Sequence, residues 1–229
     1  MEGIGVGKED TIYRTRFAEH EDIVREKTWK ILCDGFFQKF IPENAVLLDL
    51  GAGDGKFIRN IKVKKKIAAD LSPHVLELKG EGIEVIQAPA HELSLHMNSK
   101  VDCVFMSNFL EHMNSKKMVL DVLAECYKIL NPGGQVIVLQ PNVRYAGAAY
   151  WDYIDHHVAL TEHSLVEALE ICGFKVTKLI PRFLPYTAKS TGGSLVHTFG
   201  DILVKLYLKL PFLWRFFGAQ TLAIGKKEL

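Results

Sequence analysis

The chain lacks any closely spaced pair of cysteines. Cys33, Cys103, Cys126 and Cys172 lie far apart and form no CxxC. A zinc site is therefore unsupported, no metal is expected, and a reduced, cytoplasmic setting is the default. Charge of one sign is lacking too. The 28 basic and 27 acidic residues leave a net charge of +1, which removes any whole-molecule reason to expect nucleic acid. The short basic run at Lys62, Lys64, Lys65 and Lys66 reads as a solvated turn before a strand. No run of about 18 uncharged apolar residues is present to span a bilayer. Met1 to Asp10 lacks the apolar stretch of a cleaved signal peptide. Repeats and low-complexity linkers are absent. What remains is 229 residues, 48% hydrophobic and 24% charged. That is enough for one domain with a sizeable core, or one domain with an embellishment.

Thr11 to Phe40 has a helical pattern, with Phe17, Ile23, Trp29, Ile31, Leu32, Phe36, Phe37 and Phe40 on an apolar side, and Pro42 ends it. The period then changes. Ala45 to Leu50 is a short continuous apolar run closed by glycines, as a strand buried on both faces reads. Further strands are predicted at Ile67–Asp70, Ile83–Ile86, Val101–Ser107, Gln135–Gln140, Phe174–Ile180 and Gln220–Lys226. Helices are predicted from about Gly55, after Ser72-Pro73, over Met113–Leu130 and over Glu162–Cys172 with Thr161 as N-cap. Asn131 to Gly134 reads as a turn. Alternating strands and helices imply an α/β sheet with helices on both faces. The domain reading is an N-terminal helical cap (1–44), a nucleoside-binding core (45–180), a helical insert or lid (181–218) and a last core strand (219–229).

The first strand runs into Gly51-Ala52-Gly53-Asp54-Gly55. In open α/β sheets, ligands bind beyond the C-terminal ends of the strands, and glycines let a ligand approach the backbone. A glycine loop alone is equally a tight turn. Asp70 adds weight, because a carboxylate ending the second strand can accept both ribose hydroxyl protons. A dinucleotide fingerprint requires a third glycine where Lys56 stands. Asp49, just inside the strand, would crowd a diphosphate and suits a cationic ligand.

Val46 to Gly55 resembles the first motif of class I S-adenosylmethionine-dependent methyltransferases. Ala69-Asp70 resembles the acidic end of their second strand, Asp102 to His112 their fourth-strand motif, and Leu130 to Gly134 the loop before their fifth strand. The resemblance covers roughly Val46 to Val176. It implies a Rossmann-like, seven-stranded, mostly parallel sheet with a reversed final hairpin. It also implies S-adenosylmethionine as cofactor, held by Asp49, Gly51, Ala52, Gly53, Asp70, Leu71, Ala90 and Asn108. One departure stands out: Pro89 occupies the place where relatives often carry the acid that takes the adenine amino group. The Ala90 N–H, Gln87, His91 and Glu92 are the substitutes at hand.

Two clusters offer a general base. Glu111-His112 follows the fourth strand, and histidine is the base best tuned to neutral pH. The second is the loop after the fifth strand, where Tyr145, Tyr150, Trp151 and Tyr153 read as an acceptor wall and Asp155 or His156 as a base. His112 and His156 are the catalytic candidates. The fourth strand ends in Ser107-Asn108-Phe109-Leu110, not the Pro-Pro motif of enzymes acting on planar amino nitrogens. A small-molecule or saccharide oxygen is therefore the expected acceptor. Pro141-Asn142, Tyr150-Trp151-Asp152, Asp155-His156 and Leu206 to Leu208 resemble bacterial methyltransferases of cell-surface polysaccharide or glycolipid synthesis.

In the insert, Leu195, Phe199, Ile202, Leu203, Leu206 and Leu210 recur at helical spacing, with His197, Asp201, Lys205 and Lys209 on another face. Two readings stand: a helix packed on the domain as a pocket lid or homodimer contact, or a peripheral membrane contact through 195–217. Two other functions also remain open. One is a non-catalytic methyltransferase-like scaffold, and the other is a nicotinamide-dependent oxidoreductase.

Overall fold

The structure, a computed structural model, describes residues 19–186 and 195–229. Seven strands form one sheet in the order β3-β2-β1-β4-β5-β7-β6. They are β1 (Val46–Leu50), β2 (Lys65–Asp70), β3 (Ile83–Gln87), β4 (Val101–Ser107), β5 (Leu130–Pro141), β6 (Lys175–Ile180) and β7 (Gln220–Lys226). The pairs among β1 to β5 are parallel, and β7 runs antiparallel to both β5 and β6. This is the expected Rossmann-like α/β architecture, and the reversed final hairpin is present.

Side chains alternate across the sheet and build two cores. Leu48, Val104, Met106, Val136 and Val138 face one layer, filled by Val119, Val122, Leu123 and Cys126 of α3 (Lys116–Ile129) and by Leu165 and Leu169 of α5 (Glu162–Ile171). Their neighbours Leu47, Cys103, Phe105, Ile137 and Leu139 face the other. That layer holds Leu32, Phe36 and Phe37 of α1 (Glu19–Gly35) and the segment after it, with Phe57 and Ile58 of α2 (Lys56–Asn60). A strand buried on both faces reads as a continuous apolar run for this reason. Burial pushes the Cys103 thiol up to about 12, so it is inert packing, as is Cys126.

Helix starts follow local chemistry. The Thr161 hydroxyl accepts from the Ser164 N–H while Ser164 Oγ accepts from the Thr161 N–H, and the Ser115 hydroxyl accepts from the Met118 N–H. The helix expected after Ser72-Pro73 is only a 3-10 turn over Pro73–Leu78. The turn expected at Asn131 to Gly134 lies inside β5 as an irregularity. The pairing with β4 jumps there, from Val101–Leu130 to Cys103–Gln135. Main-chain bonds between Gly133, Gly134 and Lys227 keep the segment attached to the sheet. The N-terminal helical pattern is interrupted: α1 ends at Gly35 and a 3-10 turn covers Phe37–Lys39. Ile23 is exposed, and Phe17 lies outside the described residues.

The insert corrects an expectation. Helix α6 (Leu195–Lys209) leaves helical geometry at Gly200, and α7 (Pro211–Phe217) follows it. Leu195 and Phe199 belong to the apolar stripe read from the sequence, but their side chains lie outside those described. Of the rest, Ile202 is 81% exposed, and Leu203 and Leu206 also face solvent. The buried side is instead Val204, Tyr207 and Leu208, where α6 packs on α1. The Tyr207 hydroxyl donates to the Phe183 carbonyl at 2.6 Å. Two apolar stripes share this helix, and helical periodicity alone does not say which one finds a partner.

Asn142 pins the sheet to the loop after β5, where it caps the single turn of α4 (Val143–Ala146). Its Nδ2 donates to Glu162 at 2.7 Å and to Thr221 at 2.9 Å, and its Oδ1 accepts from the Arg144 N–H. All three side chains are buried. Asn142→Ala removes a buried donor from Glu162 Oε2 and from Thr221, while Arg144 still faces Glu162 Oε1, and is expected to cost about 2 kcal/mol in urea unfolding. A loss below about 1 kcal/mol would contradict this role.

Candidate active site

A cavity of about 930 Å³ opens at the C-terminal ends of β1 and β4, where the strand order reverses. This is the switch point at which α/β sheets bind ligands. The volume is near the top of the range for small-molecule pockets (~300–1,000 Å³), which leaves space for two ligands side by side. Asp49, Gly51, Ala52, Gly53, Asp70, Leu71, Ala90 and Asn108 all line it, and so do His112 and His156. Sequence reasoning did not find the wall made by Arg25, Thr28, Trp29 and Leu32 of α1. A helix separated from the glycine loop by Pro42 and β1 carries no local signal that it covers that loop.

The loop is built from close main-chain contacts. The N–H groups of Gly51 and Ala52 donate to the Ala69 carbonyl at 2.8 and 3.2 Å, tying the end of β1 to the end of β2. Asp70 completes the tie: its Oδ2 accepts from the Gly53 N–H at 2.8 Å and its Oδ1 from the Ser72 N–H at 2.9 Å. Gly51 has φ 72°, and a Cβ there would overlap the Phe109 ring. The Asp54 carboxylate meets Lys56 Nζ at 2.6 Å and Arg25 at 3.3 Å, so an ion pair fastens α1 over the loop.

The carboxylates here are held away from their ordinary range. Burial pushes Asp49 well above the usual value, and Asp70 and Asp54 add to the shift. The Ile58 N–H opposes it. Burial also raises Asp70, against the bonds from Ser72, Gly53 and Leu71. Ionising carboxyl groups so close together is costly, and a bound cation offsets that cost where a diphosphate would add to it. A ligand with a sulfonium, an ammonium and a ribose diol fits this donor set.

Across the cavity, β4 ends at Asn108, whose N–H bonds to the Leu139 carbonyl at 2.9 Å and whose φ is 48°. A 3-10 turn over Leu110–His112 follows. The Glu111 carbonyl accepts from the N–H groups of His157 and Val158 at 2.8 and 3.1 Å. These bonds draw the distant loop onto β4 and bring His112 and His156 together, ring centroids 5.1 Å apart. His112 Nδ1 lies 3.0 Å from the Asp155 carbonyl, and His156 Nδ1 lies 2.8 Å from the Tyr150 carbonyl. A carbonyl only accepts, so both rings carry hydrogen on Nδ1, and each neutral ring has its lone pair on Nε2.

The aromatic wall is smaller than expected. Tyr150 is fully buried and its hydroxyl donates to the Val158 carbonyl, so it is a structural pin. Trp151 is exposed, and Tyr145 carries the Arg182 guanidinium over its ring at 4.7 Å; neither lines the cavity. Of the four, Tyr153 alone does.

Glu111 is the member of this cluster that sequence reasoning left without a role. It is 3% exposed, and Oε2 is buried with no hydrogen-bond partner among the described residues. Burial pushes its carboxyl up to about 6, opposed by the charge of His112. Because the folded-state value lies above the unfolded one, this group's contribution to stability is full below about pH 4.5 and is lost as pH rises through 6. Glu111→Gln is thus expected to gain about 2 kcal/mol on the metal-free wild type between pH 4.5 and 7. A stability difference that does not change with pH, measured by urea unfolding, would refute this.

Residues 48–138 match the family model described as "Methyltransferase domain". Among curated proteins, the chain is 28% identical over 147 residues to a ubiquinone/menaquinone biosynthesis C-methyltransferase of Escherichia fergusonii, covering 57% of this chain and 55% of that one. It is 23% identical over 122 residues to a mouse tRNA (carboxymethyluridine(34)-5-O)-methyltransferase, covering 53% of this chain and 18% of that one. This chain thus spans about half the length of the first relative and less than a fifth of the second. Among solved structures, it resembles a SAM-dependent methyltransferase from Archaeoglobus fulgidus, with TM-score 0.62, 20% identity, and 89% and 94% of the two chains covered. It also resembles an S-adenosylmethionine-dependent methyltransferase from Mesorhizobium loti, with TM-score 0.57, 17% identity, and 82% and 94% covered. Residues 48–138 thus resemble a methyltransferase domain, and the fold is that of class I methyltransferases. The cofactor of that class is S-adenosylmethionine, and the donor set at Asp49, Gly51 and Asp70 fits it.

Proposed function

We propose that the protein is an S-adenosylmethionine-dependent O-methyltransferase acting on a saccharide, a glycolipid precursor or a similar small hydroxyl-bearing molecule. The observation that carries this reading is the His112–His156 pair, set in the same cavity as the glycine loop and Asp70. When bound, S-adenosylmethionine supplies an electrophilic methyl group on sulfur. Asp70 holds its ribose, and Asp49 offers a negative field to its cationic end. Each neutral histidine has an Nε2 lone pair able to take the proton of an acceptor hydroxyl. The bonds from Nδ1 hold both rings in position, which lowers the entropic cost of reaching attack geometry. Calorimetry with S-adenosylhomocysteine, followed by transfer of a labelled methyl group in cell extract, tests the reading. No binding in the micromolar range sinks it. A labelled product whose methyl sits on carbon or nitrogen sinks the oxygen assignment.

Among the described residues no helix is long and apolar enough to cross a membrane. Phe212, Phe216 and Phe217 are exposed on α7 beside Lys205, Lys209 and Arg215. We take this pairing of aromatics with cations as support for peripheral contact with an anionic membrane on its cytoplasmic side. Failure to co-sediment with vesicles containing anionic lipid would remove it.

A further inference from the structure

The cysteine spacing points to no metal site, but the folded chain assembles a different donor set. Glu111, His112 and His156 present ligand atoms that all lie within 4.8 Å of one another. A zinc-sized ion with bonds of ~2.1 Å needs its ligands about 3.4 Å apart, a contraction that small side-chain rotations supply.

Three independent features suit a cation. Both histidines donate Nδ1–H to a backbone carbonyl, which fixes the tautomer with Nε2 as the ligating atom. This outer-shell bond is the usual partner of a metal-bound imidazole. Among the described residues Glu111 Oε2 is buried without a hydrogen-bond partner, and an ionised carboxylate in that position is costly unless a cation neutralises it. The three residues sit on one wall of a cavity wide enough to leave further coordination positions for a ligand.

We propose that Glu111, His112 and His156 bind one divalent transition-metal ion, with open positions facing the cavity where the acceptor hydroxyl coordinates. The donor set of two imidazoles and one carboxylate selects Zn²⁺, Fe²⁺, Co²⁺ or Mn²⁺ over Mg²⁺ or Ca²⁺, which prefer oxygen alone. With both Nε2 lone pairs on the ion the histidines act as ligands in place of bases, and a coordinated hydroxyl releases its proton to solvent more readily, as metal-bound water does. The role in acceptor activation rests on the methyltransferase reading above; the metal site itself does not.

The test titrates chelator-treated full-length protein with Zn²⁺ by calorimetry and with Co²⁺ by visible absorption. One ion per chain is expected, with a d–d spectrum for Co²⁺. Glu111→Gln and His156→Ala should each weaken Zn²⁺ binding by at least about tenfold. A cooperative urea-unfolding transition serves as the check that each variant is folded, and His112→Gln replaces any variant that fails it. Absence of stoichiometric binding in the wild type overturns the proposal, as does an affinity that these variants leave unchanged. S-adenosylhomocysteine binding that persists in a protein unable to bind metal overturns the site and leaves the methyltransferase reading standing. Tight metal binding in a wild type that does not bind S-adenosylhomocysteine does the reverse.

Discussion

Asp70→Ala is expected to weaken S-adenosylhomocysteine binding by about 100-fold or more, through two losses that add. The first is direct. A carboxylate accepting two ribose hydroxyl protons makes charge-assisted bonds of about 1.5–3 kcal/mol each. The second acts through the protein. In the structure the Asp70 oxygens hold the Gly53 and Ser72 N–H groups at 2.8 and 2.9 Å, so truncation also unties the glycine loop from β2. Each oxygen has a second lone pair, so holding the loop and binding a ribose are compatible. Asp70→Asn separates the two losses. Its amide oxygen keeps one of the two N–H bonds, but its NH₂ faces the other donor, so most of the loss should persist. Calorimetry decides the matter, with the unfolding midpoint followed in parallel. An affinity within about threefold of wild type, in a variant that folds, would exclude Asp70 from the cofactor site.

Gly51→Val is expected to cost about 4 kcal/mol of stability and to abolish S-adenosylhomocysteine binding. Two separate penalties meet at this residue. Its φ of 72° is a left-handed conformation that β-branched residues adopt only under strain. Its absent Cβ is also where the Phe109 ring lies. The two can be told apart. In the Gly51→Ala background, Phe109→Ala removes the overlap but not the strain, so the double variant should recover only part of the Gly51→Ala loss. Strict additivity of the two substitutions in urea unfolding would refute the packing half of the argument.

The glycine loop, Asp70 and the caps at Ser115 and Thr161 were legible in the sequence because each depends on residues that are neighbours in the chain. Positive φ requires glycine, and a cap needs a hydroxyl before a helical run. The two-faced burial of β1, β4 and β5 was legible for a similar reason, since a strand covered on both sides has no polar positions to alternate. The face that α6 buries was not legible. Ile202 and Leu206 are as apolar as Val204 and Leu208, and only the position of α1 decides between them. Tyr150 misled for the same reason: an aromatic in a functional loop looks alike whether it contacts a ligand or holds up the loop.

By itself the sequence determined an α/β sheet with a glycine loop at the end of β1 and a carboxylate at the end of β2, because chain direction, backbone torsion and alternation are local properties. Tertiary structure alone decided that Glu111, His112 and His156 share one wall of a cavity. Their meeting depends on the Glu111 carbonyl capturing the His157 and Val158 N–H groups. Main-chain hydrogen bonds of that kind, between segments far apart in the chain, leave no mark on the identity of the residues that make them.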